Sequence, residues 1–316
     1  VEVPLAGVDG EGLLPFPIYL RPDPGREPVL FAESGTRLGE ARLERLQASG
    51  VSTFLVPPAY LDGYYRFLEE RLGENILDTR VPLEERCGLL RIVVVHAAES
   101  LLKTRPDQER LERVLSILDS TVDLAWKEPG ALPLLRRMVE GNPTLAGHCV
   151  AVSLYAMGTG FQLFPGDRVR IGRLAWAAFL HDVGRAPAAP GKAPLPSGTI
   201  LGNEEEETPD YSHALAGEEL LFDLGMPEEV ARAAGEHHER MDGSGAPRGL
   251  DAGEIHPFAR VTALANVFDH IRSSHRGFLG IFESFRILIR SFPGCFDPVM
   301  VEAFLKTFGP KSGRKG

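Results

Sequence analysis

The spacing of apolar residues changes character near Pro82. Between Phe16 and Pro58 they come in three short pieces, PFPIYLR, PVLFAES and VSTFLVP, separated by Gly and Pro, which predicts β-strands. Between the last two, Leu38 to Ala48 has the three- and four-residue spacing of an amphipathic helix, and Tyr60 to Leu72 reads as another. Beyond Pro82 the pattern is helical almost throughout, with helices predicted over Leu83 to Lys103, Asp107 to Trp126 and Leu132 to Glu140, then a series of shorter ones. The expected class is mainly α: a small α/β domain over residues 1–80 and a helical domain over 83–308.

Four of the later helices share a feature. Asn142 and Pro143 read as N-cap and first-turn proline of a helix reaching about Met157, with Leu145, His148, Val152 and Tyr155 on its inner face. Asp167 caps the next, on which Ile171, Leu174 and Ala178 point the same way as His181 and Asp182 at its end, with Gly184 as the stop. Ser212 or Asp210 caps a third, carrying His213, Gly217, Leu220 and Leu224 on one face before Gly225. A fourth starts at Pro227, carries Val230, Ala234 and His237 with His238 beside it, and runs into the turn Asp242-Gly243-Ser244-Gly245. The Pro- and Gly-rich run 186–198 and the acidic run 204–207 are expected to form one solvated surface loop.

Composition narrows the classes. The 316 residues are 43% hydrophobic and 25% charged, as in a soluble globular protein long enough for two domains. A net charge of −10 gives nucleic acids and anionic membranes little to hold. Cys87, Cys149 and Cys295 are widely spaced, with no CxxC, so neither a disulfide framework nor a thiolate zinc site is indicated. No apolar run reaches the roughly 20 residues of a membrane span. A cytoplasmic protein is the expectation.

Nine histidines are present. A single buried histidine is more often a hydrogen-bonded core residue than a ligand, and that reading is kept for His96, His256 and His275. It fails jointly for His148, His181, His213, His237 and His238, because all five fall at inward or terminal helix positions with Asp182 among them. Imidazole with carboxylate suits manganese, iron or zinc.

The strings HDVGR (181–185), SHALAGEELL (212–221) and HHERMDGSGAPRGL (237–250), followed by ARVTALANVFDHI (259–271), resemble the HD-GYP family in order and spacing. The resemblance covers roughly residues 107–290, with the motif core at about 140–278. It implies a helical HD-type fold and a bacterial signalling phosphodiesterase that opens cyclic di-GMP to pGpG and in some members GMP. It makes His148, His181, Asp182, His213, His237 and His238 ligands of two divalent transition-metal ions, iron or manganese first and zinc or nickel after them, with Asp182 bridging. Two ions ~3.5–4 Å apart clamp phosphodiester oxygens and stabilise the leaving alkoxide. Asp182 and Arg185 are the implied catalytic residues, and Arg185, Asp242 and Arg276 the implied contacts to a small anionic nucleotide. Signalling partner proteins and a homodimer are compatible with the family.

The chain departs from the family pattern at named positions. Asn266 stands where relatives carry a metal-binding Asp; it ligates through a neutral amide oxygen, and Asp269 and His270 lie near the same face. Arg185 replaces a lysine, Ala246 the Tyr of GYP, and SHRGF (274–278) a DRPYR-like segment that contacts nucleotide. Thr144 occupies the place of a Glu that accompanies a third metal, so two metals are expected. The competing reading is a non-catalytic HD-GYP-like receptor or protein-interaction module.

Overall fold

The computed structural model describes residues 1–5, 7–8, 10–22, 25–142, 144–187, 211–273 and 279–309. By packing, the chain divides into two compact units, Val1–His96 and Ala97–Gly316.

In the first unit, strands β1 (Glu2–Pro4), β2 (Ile18–Leu20), β3 (Val29–Ala32) and β4 (Thr53–Leu55) form an antiparallel sheet in the order β1-β4-β2-β3, with Val3 opposite Phe54 and Tyr19 opposite Leu55. Helix α1 (Glu40–Ala48) lies between β3 and β4, and α2 (Leu61–Glu70) and α3 (Leu72–Leu77) follow β4. In β1 and β4 the middle residue, Val3 or Phe54, is buried between two more exposed neighbours, because successive side chains on a pleated strand point to opposite faces. Phe16, Phe54, Tyr64 and Phe67 meet edge to face or stacked in the core, and Tyr64 donates its hydroxyl to Pro4 O at 2.9 Å. The short β1 and α3 carry too few residues to show a period in the apolar pattern.

Helix α4 (Leu83–Leu102) runs through the division between the units. The second unit continues with α5 (Gln108–Lys127), α6 (Ala131–Val139), α7 (Leu145–Leu163), α8 (Arg168–Leu180), α9 (Ser212–Asp223), α10 (Glu228–Glu236), α11 (Pro257–Ser273), α12 (Ile281–Ser291) and α13 (Pro298–Lys306). Helix α7 is apolar nearly all round, which marks a central helix. It packs on α6, α8, α11 and α13, while α10 packs on α8, α9 and α11. Each large apolar side chain so buried contributes about 1.5–3 kcal/mol relative to exposure. On one side of α7 and α11, Tyr155, Phe268, Phe285, Phe304 and Phe308 form an aromatic cluster. It sets how α11 is turned, with Phe268 in the cluster and Asn266 and Asp269 elsewhere on the helix. Among the described residues no helix is long and apolar enough to cross a membrane.

Three expected helix boundaries are corrected. Thr144, not Asn142, caps α7: its hydroxyl accepts from Gly147 N at 3.0 Å and donates to Asn142 Oδ1 at 2.8 Å. Pro143 is outside the described residues, and α7 reaches Leu163, past Met157. Ser212 is the first residue of α9, with Tyr211 in the cap position and no side-chain cap; Asp210 lies outside the described residues. Gly184 does not end α8, which stops at Leu180, but sits in a 3-10 turn, Val183–Arg185, with no positive φ. Its purpose is close approach, since a Cβ there would lie 2.0 Å from His213 O and 2.6 Å from Gly217 N. Asp167 does cap α8, accepting from Arg170 N at 2.9 Å. The loop expected over 186–198 and 204–207 falls, from residue 188 on, outside the described residues.

Candidate metal centre

Two histidines are aimed by the same local device. His181 and His237 occupy the C-cap positions of α8 and α10, and the Nδ1 of each lies 2.8 and 2.7 Å from the carbonyl oxygen three residues back, of Ala178 and Ala234. A carbonyl only accepts, so Nδ1 carries the proton and Nε2 keeps its lone pair for whatever it faces. His148, on α7, is oriented by a distant partner: Asp269 Oδ2 on α11 accepts from its Nδ1 at 2.7 Å. A carboxylate on the far nitrogen of an imidazole fixes its tautomer and raises its basicity as a ligand.

All these Nε2 atoms converge on Asp182, which is 1% exposed. Asp182 Oδ2 lies 3.6 Å from His181 Nε2 and 4.0 Å from His148 Nε2. Asp182 Oδ1 lies 3.2 Å from His213 Nε2 and 3.6 Å from His237 Nε2. His238 completes the second group, with its Nε2 3.0 Å from His213 Nε2. Thus one carboxylate joins two sets of candidate ligands, His148–His181–Asp182 and Asp182–His213–His237–His238, all buried. His213 reaches Asp182 because Gly184, two residues further along, lets α9 press against the 183–185 turn.

Electrostatics favour a cation here. Burial lowers the pKa of His181, His237 and His238, so all three are neutral imidazoles at neutral pH. Burial also opposes protonation of His148, but the bond and charge of Asp269 outweigh it and raise its pKa. Burial would raise the pKa of Asp182; the attraction of His181, His213, His237 and Arg185 instead holds its carboxyl well below the carboxylate range. Asp182 Oδ1, His237 Nε2 and Asn266 Oδ1 are buried without a hydrogen-bond partner. An unsatisfied buried acceptor costs ~1–3 kcal/mol. Three of them, with neutral imidazoles and an ionised carboxylate, form a donor set that fits borderline divalent metals.

The other expected site residues are placed as follows. Asn266 is buried on α11, one turn before Asp269. Arg185 is 4% exposed and turned inward, its Nε 2.8 Å from Asp182 Oδ1 in an ion pair that lacks hydrogen-bond geometry and its Nη2 donating to His213 Nε2 at 3.1 Å. Asp242 is exposed and accepts from Ser244 N and Oγ, with Cys295 Sγ 3.5 Å from its other oxygen, so its described contacts belong to the turn. Arg276 and the rest of 274–278 lie outside the described residues, as does His275. His270 stacks obliquely near His148 with ring centroids 4.6 Å apart, and burial pushes its pKa down to about 3.

Two residues passed unnoticed in the sequence. Glu239, 2% exposed, accepts from Arg248 N at 2.8 Å and Leu250 N at 3.0 Å, tying the loop after His238 to the end of α10. Its place directly after the His237-His238 pair was the available signal. Tyr211 lays its ring 4.8 Å from that of His238.

Residues 143–289 match the HD domain family. Among curated proteins, the chain is 31% identical over 173 residues to 3'3'-cGAMP-specific phosphodiesterase 3 of Vibrio cholerae, covering 52% of this chain and 35% of that protein. It is 30% identical over 201 residues to a cyclic di-GMP phosphodiesterase of Pseudomonas aeruginosa, covering 61% and 46%. It is 35% identical over 264 residues to the cyclic di-GMP phosphodiesterase response regulator RpfG of Xanthomonas campestris, covering 82% and 62%. The chain thus spans less than two thirds of each of these relatives. Among solved structures, Bd1817, described as a HDG"Y"P protein from Bdellovibrio bacteriovorus, shares the fold over 97% of this chain and 98% of its own, with a TM-score of 0.68 at 18% identity.

Proposed function

We propose, from the premise that this chain is an HD-domain protein of the HD-GYP kind with GAP in place of GYP, that it is a divalent-metal-dependent phosphodiesterase acting on cyclic di-GMP or a related cyclic dinucleotide. The observation that carries the reading is Asp182, whose two oxygens face two separate groups of imidazoles. His148, His181, Asp182 and Asn266 would hold one ion, and Asp182, His213, His237 and His238 the other. Bound there, divalent ions would supply Lewis-acid polarisation of the phosphodiester and a nucleophile at neutral pH.

The chain's own residues do the positioning. Asp269 and the carbonyls of Ala178 and Ala234 lock three imidazoles by their Nδ1 protons, so their Nε2 atoms need no reorganisation to face a common centre. Glu239 holds the 248–250 backbone beside them. Arg185 holds a fixed positive charge against Asp182, and its guanidinium is the group chemically suited to a phosphate oxygen. Activity on a cyclic dinucleotide is the property of the relatives named above, and its transfer to this chain is part of the proposal. Signalling in a bacterial cytoplasm follows the same line.

The receptor reading is favoured by the departures at Asn266, Ala246 and 274–278, and by one contact, the pairing of Arg185 with Asp182 inside the centre. One assay separates the two. Protein purified anaerobically with iron and manganese supplied is assayed for metal content and for turnover of cyclic di-GMP and 3'3'-cGAMP. Bound metal with turnover that Asp182→Asn abolishes supports the enzyme. Bound metal without turnover supports the receptor, and absence of both overturns the metal centre.

A further inference from the structure

Arg185 stands where a ligand set should be free to converge. Its guanidinium addresses Asp182 Oδ1 through Nε at 2.8 Å and His213 Nε2 through Nη2 at 3.1 Å. Those two acceptor atoms are 3.2 Å apart and belong to the second group, Asp182–His213–His237–His238. A metal held by imidazole and carboxylate sits ~2.0–2.2 Å from each donor atom. Carboxylate oxygen has lone pairs to share, but imidazole Nε2 has one, lying in the ring plane. That lone pair cannot accept a guanidinium hydrogen bond and bind a metal at once. Arginine does not deprotonate in a protein, so it cannot yield by losing its charge. It can only move.

We infer that Arg185 is an internal competitor for the second metal position. The two ions then bind unequally. The first fills the group of His148, His181 and Asp182, whose Nε2 atoms are aimed by Asp269 and the Ala178 carbonyl. The second binds only as the Arg185 side chain swings out of the pair of acceptors. Metal supply thereby sets two states of the centre, one ion with Arg185 inward and two ions with Arg185 released toward the side from which an anion would approach. A lysine at the same place would present one compact, flexible ammonium instead of a planar fork held between the two atoms. The inference rests on the metal-centre reading above and deepens it.

The experiment is calorimetric titration of the metal-stripped full chain with Mn²⁺ alone, on wild type, Arg185→Met and Arg185→Lys, with circular dichroism to establish that each is folded. Electron paramagnetic resonance detects the spin-coupled Mn pair independently of any activity. Wild type is expected to show two unequal steps. Removing the competitor's hydrogen bond to His213 and its ion pair with Asp182 should tighten the second step about tenfold to a hundredfold in Arg185→Met. The first step should change far less. Arg185→Lys, which keeps a partner for buried Asp182 should the methionine variant fail to fold, should shift the second step in the same direction by less. Second-step affinities unchanged in the folded variants, or both steps tightening equally as a general charge effect would make them, overturn the inference while leaving the metal centre standing. No Mn²⁺ bound by wild type or any variant overturns the metal centre itself.

Discussion

Gly184→Ala tests how the second group of ligands is brought to Asp182. The added methyl would lie 2.0 Å from His213 O, 2.6 Å from Gly217 N and 3.0 Å from His213 C, all backbone atoms that cannot rotate away. Since real Cβ contacts essentially never fall under 3.0 Å, the backbone of α9 and the 183–185 turn must part by about 1 Å or more. The His213 Nε2 to Asp182 Oδ1 separation, 3.2 Å, sits at this junction and should open by a similar amount. Overpacking of this kind costs ~1–3 kcal/mol. At about 2–4 °C per kcal/mol for a unit of this size, the melting temperature should fall by roughly 2–12 °C. Gly217→Ala is the internal control: its methyl would meet Gly184 N at 3.3 Å and Val183 Cγ1 at 3.5 Å, which small shifts relieve. Thermal unfolding followed by circular dichroism measures the first effect, and Mn²⁺ stoichiometry the second. Gly184→Ala should keep its helical signal, melt lower and lose the second equivalent of metal before the first. A Gly184→Ala protein with unchanged melting temperature and two tightly bound ions would show that the junction does not position His213.

Further outcomes are expected. Asn266→Asp adds a negative charge at a buried oxygen that has no hydrogen-bond partner, so metal occupancy measured by elemental analysis at limiting supply should rise; unchanged occupancy would remove Asn266 from the ligand set. Metal-stripped protein should lose stability as pH falls below 6.5, because His181, His237, His238 and His270 have depressed values when folded and take up protons only on unfolding. Each contributes at most about 1.4 kcal/mol per pH unit. His148 opposes them, since its raised value adds stability at low pH that is lost as pH rises through it. A melting temperature flat between pH 7.5 and 5.5 would refute that balance. A fragment beginning at Leu83 retains all of α4 and should remain folded, helical and able to bind Mn²⁺; an insoluble or metal-blind fragment would refute independence of residues 1–82.

Most of the helices, three of the four strands and the helical positions of the histidines were legible because each depends on residues within about four positions of one another. The period of apolar side chains placed α4 to α8 within a residue or two at most ends, and Asp167 capped α8 as its sequence context requires. Even locally there were limits: Asn142 and Thr144 are both good caps, and only the backbone angles of Thr144 decide between them. The convergence of His148, His181, His213, His237 and His238 was foreseen as a pattern. Which oxygen of Asp182 each faces is set by how α7, α8, α9 and α10 cross. The bond from His148 to Asp269 joins residues 121 apart, and the role of Gly184 exists only because another helix lies against it. The inward turn of Arg185 likewise depends on an acceptor 28 residues away. Periodicity and capping act along the chain, whereas a metal centre is assembled across it, and the crossing of packed helices is what decides which side chains share a point in space.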